Sequence, residues 1–230
     1  IIAHELRGVG VDANCAPCAD IAGDGTHPFL RNRCYGTDAA VVSAMSAAVA
    51  EGHLAGGVLP VIKHLPGHGR ATADTHHDLP TVTATRADLA ATDFAPFRAL
   101  KHLPMAMTAH IIFAAYDDKP ATHSAAMVRA IRDEIGFDGL LITDDLNMQA
   151  LRGTLAERAA ASMAAGCDIA LHCNGDLVEM RVVAGACGDQ TPAIRDRAAR
   201  ALAARSAPEP VDIVALDAEF RGLMSGIAHV

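Results

Sequence analysis

The sequence predicts an α/β fold, specifically the later part of a (β/α)₈ TIM-type barrel. Three observations lead there. Short apolar runs recur along the whole chain, each followed by a polar or Gly/Pro-containing segment and then by an Ala-rich helical pattern. Such continuous apolar runs suit strands buried on both faces, the expectation for a parallel sheet. Polar residues fall just after several of the runs, at Asp20, at residues 63–78, at His110 and at Asp144 and Asp145. A barrel assembles its site from the C-terminal ends of many strands, whereas an open doubly wound sheet gathers its ligand contacts at one switch point.

In chain order, the segment opening at Ile1 reads as a helix face, and the first apolar run covers residues 9–15. Residues 38–56 read as a helix rich in Ala and Val that Thr37 or Asp38 can cap, since their side-chain oxygens satisfy N–H groups left free in the first turn. The second run, 57–62, leads into a long loop, because Pro66, Gly67 and Gly69 forbid a regular helix. The third run, 105–113, contains His110, and a helix capped by Ser124 follows over 124–135. The fourth, 139–143, ends in Asp144 and Asp145 and precedes a helix over 154–165; the fifth is 167–171. Segments 194–206 and 211–224, separated by Pro208 and Pro210, read as helices packed outside the sheet without chemistry of their own. Residues 1–230 are thus expected to form a single barrel domain with C-terminal helices from residue 190 onward.

A hydrophobic content of 51% over 230 residues is enough for a large core and excludes disorder as the main state. The formal net charge of −8 sets the global field against a nucleic-acid or anionic-membrane partner. Glu51 and His53 interrupt the longest apolar stretch, so no run of about 18 apolar residues exists, and no basic-then-apolar leader opens the chain. A cytoplasmic location is expected. Aromatic residues make up only 3%, with no Trp, which favours a small polar ligand over a long polysaccharide groove. The cysteines at 15, 18, 34, 167, 173 and 187 are expected as reduced thiols, and Cys15-Ala16-Pro17-Cys18 reads as core thiols rather than a redox or metal motif.

The densest polar constellation is Lys63-His64-Leu65-Pro66-Gly67-His68-Gly69 with Asp74-Thr75-His76-His77-Asp78. Lys63 can donate to hydroxyls at a strand end, and His64 can donate or accept. Asp74 can hold one ring nitrogen of His76 and leave the other facing a substrate, as a general acid/base needs. Histidines 64, 68, 76 and 77 carry metal-ligand chemistry, but the i, i+4 spacing of His64 and His68 helps only on a helix, which Pro66-Gly67 prevents. In Gly139-Leu140-Leu141-Ile142-Thr143-Asp144-Asp145, alternation turns one acid toward the strand-end pocket and the other into supporting hydrogen bonds. Read alone, the two acids also suit a helix cap, Lys63 a strand-end lysine and Arg33 a surface ion pair, while His110 fits a pocket wall and a core histidine equally.

The runs KHLPGHGRATADTH (63–76), MTAH (107–110), GFDG (136–139), TDDLNM (143–148) and AGCD (165–168) together closely resemble the bacterial β-N-acetylglucosaminidases of glycoside hydrolase family 3, over roughly residues 1–175. The resemblance implies a (β/α)₈ barrel and retaining hydrolysis of terminal β-linked N-acetylglucosamine, with muropeptides of cell-wall recycling as the substrate. It places the nucleophile on Asp144, the general acid/base on His76 with Asp74 as its partner, and sugar binding on Lys63, His64 and Arg33. A carboxylate nucleophile and a histidine proton donor suffice for that chemistry, so no metal and no organic cofactor is expected. Cys34 stands where the family has Ser after the arginine, and Arg70-Ala71 replaces a common Asp-Thr. The family's earlier strands, one ending in Asp-Gln-Glu-Gly-Gly, have no counterpart after Ile1, so an incomplete barrel and an incomplete sugar subsite are expected. The competing readings are a metal-dependent hydrolase on a similar barrel, a sugar-binding fragment without catalysis and, within the leading class, phosphorolysis.

Overall fold

The strands alternate cleanly between two apolar faces, and that alternation organises the molecule. The structure is a computed structural model that describes residues 1–75 and 78–227. Its strands are β1 (Ala13–Asn14), β2 (Leu59–Leu65), β3 (Thr81–Val82), β4 (Met105–Thr108), β5 (Ile112–Phe113), β6 (Leu140–Asp145) and β7 (Ile169–Leu171). Five pair in the order β1-β2-β4-β6-β7, every pair parallel, and β3 and β5 form a separate parallel pair. The main sheet curls as half a barrel. Among the described residues it does not close into a complete one.

Val61, Met107 and Ile142 point to the concave side and pack with Cys15, Met105 and Leu171. Their neighbours Ile62, Ala106 and Leu141 point to the other side, into the main core with Phe94, Phe97, Met127, Ile131 and Phe137. Each of the three phenylalanines is fully buried, a contribution of roughly 1.5–3 kcal/mol apiece. Period two carries the concave face onward from Val61 to Lys63 and from Ile142 to Asp144. The inner apolar layer therefore ends in a cation on one strand and a carboxylate on another.

The predicted crossover helices form where their caps are. Asp38 accepts from the N–H groups of Ala40 and Val41 at the head of Ala39–Ala55. Thr154 and Glu157 close a capping box on Leu155–Ala165. Ser124 caps Ala125–Ala130, but the segment then widens into a π turn, Ile131–Ile135, before Gly136 ends it at a positive φ. Two predicted strands are shorter than expected. A helix over Ile2–Gly8 ends just before the first run, the turn that follows takes Val9 and Gly10 (φ 82°), and only Ala13 and Asn14 pair with β2. The third run breaks after Thr108 because its backbone changes partner: Ala109 N–H donates to Leu65 O and Ile112 N–H to Pro80 O, which hands the chain to β3. The short helices Arg86–Ala91 and Ala95–Ala99 and the longer Leu177–Cys187 were not foreseen.

Asp168 anchors the outer layer. Its buried carboxylate accepts from Leu141 N–H at 2.9 Å, from Arg132 at 2.9 Å and from Arg197 at 3.1 Å. The tail helix Pro192–Ala203 is thereby fastened to the strand that carries Asp144. Among the described residues no helix is long and apolar enough to cross a membrane.

Gly69 is a contact point rather than a flexible one. A Cβ there would overlap the carbonyl oxygen of Ile21, and Thr26 Oγ1 donates to Gly69 O at 2.5 Å. Gly69→Ala is expected to cost about 1–3 kcal/mol by forcing the loop off Ile21. Equilibrium urea unfolding checks it, and an unchanged midpoint would contradict the close approach.

Candidate active site

Asp20 organises the strand ends. Its chain segment runs beside β2, with Ala19 N–H donating to Lys63 O at 2.7 Å and Lys63 N–H to Pro17 O at 3.1 Å. The carboxylate is 0% exposed. Asp20 Oδ1 accepts the backbone N–H groups of His64, at 3.3 Å, and His68, at 2.6 Å. Asp20 Oδ2 accepts the ring Nδ1–H of His64 at 2.7 Å and the thiol of Cys18 at 3.2 Å. This fixes the imidazole of His64 so that its Nε2 looks at Asp144 Oδ2, 3.9 Å away.

The charges follow from this arrangement. Burial alone would push the His64 pKa down, but the Asp20 carboxylate, its hydrogen bond and the Asp144 charge outweigh burial and raise it to about 9. Asp20 is correspondingly held below the ordinary carboxylate range, because the His64 charge overcomes the cost of burying it. Asp144 is half-buried, and desolvation raises its pKa, yet His64, His110, the Asp145 N–H and Lys63 together bring it below its ordinary value. At neutral pH an imidazolium therefore lies between two carboxylates.

His68 is the opposite case. Burial, joined by the repulsion of His64, depresses it to about 4, and it packs edge-on at 5.2 Å from the His64 ring. His110 is buried at the end of its run, bonded through Nδ1 to Thr122 Oγ1 at 2.7 Å and through Nε2 to Asp145 O at 3.0 Å. It both lines the cluster and is satisfied within the core. Asp145 points away from Asp144 and accepts from the N–H groups of Asn147 and Cys173.

The residues expected at the site are distributed as follows. Asp144, His64 and Lys63 come together at the ends of β6 and β2. Arg33 is exposed beyond the Pro28–Arg31 helix, its Nε donating to Phe29 O at 3.2 Å and its guanidinium 5.0 Å above the Phe29 ring. Asp74 is half-buried, and its carbonyl accepts from Asp78 N–H at 2.9 Å. His76 and its neighbour His77 lie outside the described residues. Asp20 stood in the sequence only as a polar residue after a run; what could have marked it is that a lone acid follows Cys18 and Ala19 with no charged partner nearby in the chain. Among the described residues, one group with metal-ligand chemistry converges here: Cys18, Asp20 and His64.

Residues 1–203 match the family model for the glycosyl hydrolase family 3 N-terminal domain. The chain belongs to glycosyl hydrolase family 3. Among family relatives, a β-hexosaminidase of Bordetella avium is 36% identical over 219 residues, covering 91% of this chain and 60% of the relative. One from Thiobacillus denitrificans is 37% identical over 205 residues, covering 87% of this chain and 57% of the relative. NagZ of Neisseria gonorrhoeae, solved with N-trifluoroacetyl-D-glucosamine, superimposes with a TM-score of 0.78 at 31% identity, over 88% of this chain and 59% of that one. A family 3 β-N-acetylglucosaminidase from Paenibacillus gives 0.80 at 30% identity, over 92% and 44%. The chain thus spans little more than half the length of the curated relatives it matches.

The charge pair gives a pH prediction for this family member. His64 has a folded pKa above its ordinary 6.5, so its stabilising contribution is complete below about pH 6.5 and is lost as pH rises through about 9. Asp20 works in the other sense, contributing above its ordinary 3.8 and losing that contribution as pH falls. Tm is expected to decline between about pH 6.5 and 9, and His64→Gln is expected to flatten that alkaline arm. An identical alkaline profile for parent and variant would exclude the charged pair as its source.

Proposed function

We propose that the chain carries the catalytic site of a retaining exo-glycosidase that removes terminal, non-reducing β-linked N-acetylglucosamine. The observation that supports this most directly is an ionised Asp144 on the concave strand end, 3.9 Å from a positively charged His64 that Asp20 holds in place. A retaining enzyme needs such a carboxylate poised to attack a sugar carbon. The β-hexosaminidase relatives and the N-acetylglucosaminidase neighbours point to the same sugar.

In this reading one Asp144 oxygen attacks the anomeric carbon as the bond to the leaving oxygen breaks, and His76, oriented by Asp74, delivers the proton to that oxygen. Water then adds to the same carbon, the bond to Asp144 breaks, and the water's proton returns to His76. His64 and Lys63 donate to sugar hydroxyls from β2, and Arg33 reaches the sugar from the loop above. The imidazolium also keeps Asp144 ionised between turnovers. Muropeptides of cell-wall recycling are the proposed natural substrates, in the cytoplasm.

The test is hydrolysis of 4-nitrophenyl N-acetyl-β-glucosaminide by the protein, with the anomer of the first-formed sugar read by NMR. Nitrophenol release with a β product is expected. A first-formed α product would overturn the retaining mechanism, and no release by a folded protein would overturn the catalytic reading.

A further inference from the structure

Three donors of different chemistry meet behind His64. The ligand atoms of Cys18, Asp20 and His64 lie within 4.8 Å of one another, and all three side chains are buried. Backbone pairing fixes them, since Cys18 forms a parallel bridge with Lys63, the residue before His64.

We propose that Cys18, Asp20 and His64 form an inhibitory site for a thiophilic divalent cation of the zinc and cadmium type, with water in the fourth tetrahedral position. One nitrogen, one carboxylate oxygen and one sulfur make a donor set that suits zinc and disfavours magnesium or calcium, which take oxygen ligands. Tetrahedral bonds of roughly 2.0–2.3 Å set donor atoms about 3.3–3.8 Å apart. Cys18 Sγ and Asp20 Oδ2 already stand 3.2 Å apart, and Asp20 Oδ2 and His64 Nδ1, at 2.7 Å, need to open only by some tenths of an ångström. Binding replaces protons and involves no oxidation: the Cys18 thiol proton and the proton between His64 Nδ1 and Asp20 pass to solvent as the metal bonds form.

Occupation takes Asp20 and His64 out of the hydrogen bond that aims Nε2 at Asp144. That is the inhibition. The inhibitory consequence rests on the glycosidase reading, whereas the binding itself does not.

Titration of the reduced protein with Co²⁺ tests the binding. One cobalt per chain is expected, with a thiolate-to-cobalt charge-transfer band and the visible bands of a tetrahedral ion, both displaced by Zn²⁺. Cys18→Val is expected to weaken binding by more than about 100-fold, beyond the loss typical of outer partners. Cys173→Ser, at an exposed cysteine, is expected to change nothing. Absence of the charge-transfer band in the parent, or its survival in Cys18→Val, overturns the site. Should Cys18→Val fail to fold, cadmium NMR of the unmodified protein decides: a shift typical of oxygen-only ligation overturns the proposal, and one typical of mixed sulfur, nitrogen and oxygen ligation supports it. Zn²⁺ is further expected to inhibit sugar release by the parent. A protein that binds cobalt as described but releases no sugar would overturn the glycosidase reading and leave the metal site standing.

Discussion

Asp144→Asn is expected to lower kcat on the aryl glycoside by on the order of 10³-fold or more, with little change in fold. The amide keeps the side chain's shape, and its oxygen can still accept the Asp145 N–H that now meets Oδ1 at 2.8 Å. What it lacks is the negative charge and the nucleophilic oxygen. The ion pairing across 3.9 Å to His64 disappears with the charge, so the imidazole loses one of the influences that raise its pKa. A smaller variant, Asp144→Gly, separates the chemical role from the electrostatic one. With the carboxylate gone, azide has room to attack the anomeric carbon from the vacated side, and the expected product is the α-glycosyl azide. Activity of Asp144→Asn within tenfold of the parent would reject Asp144 as the nucleophile.

The largest stability effect is expected at Asp20. Its two oxygens take two backbone N–H groups, a ring N–H and a thiol, so every partner is a donor. Asn at this position offers one acceptor oxygen and one NH₂ group. If the oxygen stays with the backbone of His64 and His68, the NH₂ confronts the His64 Nδ1–H. The ring must then deprotonate at Nδ1 or turn away. Breaking a buried charge pair in this manner costs roughly 3–5 kcal/mol. Without Asp20, burial dominates the His64 pKa and carries it downward, which removes the alkaline decline in Tm as well. Urea unfolding at neutral pH checks the first statement, and the pH dependence of Tm the second. In a double-mutant cycle with His64→Gln, the two losses are expected to be strongly non-additive. A loss below about 1 kcal/mol for Asp20→Asn would show that the carboxylate is not the organising group.

The parallel α/β layout was legible because buried strands leave continuous apolar runs and because Asp38, Ser124 and Thr154 announce helix starts with their own side chains. Strand limits were less so. Nothing in residues 105–113 signals that Ile112 will pair through Pro80 instead of continuing with β2, because the decision lies with a partner about 30 residues away. Lys63 and Asp144 could be read together from motif and alternation, since each follows an inward-facing apolar residue at an even step, while His64, two residues after the core-facing Ile62, could be read from the motif alone. Asp20 could not, because its importance lies in four donors supplied mainly by a segment more than 40 residues later. Arg33 illustrates the converse: the motif names it, while the structure shows it resting on Phe29 at the surface.

The alternation along β6 has one more consequence. Asp144 and Asp145 are the same residue type in adjacent positions, and only the parity of the strand makes one face His64 and the other accept from Asn147 and Cys173. A slip of one residue would exchange their faces. Chemical identity at this position is therefore a matter of phase. The phase is set three residues upstream, where the buried Asp168 takes the Leu141 N–H, and a step beyond, where Thr143 Oγ1 takes the Leu171 N–H. Two backbone N–H hydrogen bonds act as the reference marks that tell the carboxylate beside His64 from its structural neighbour.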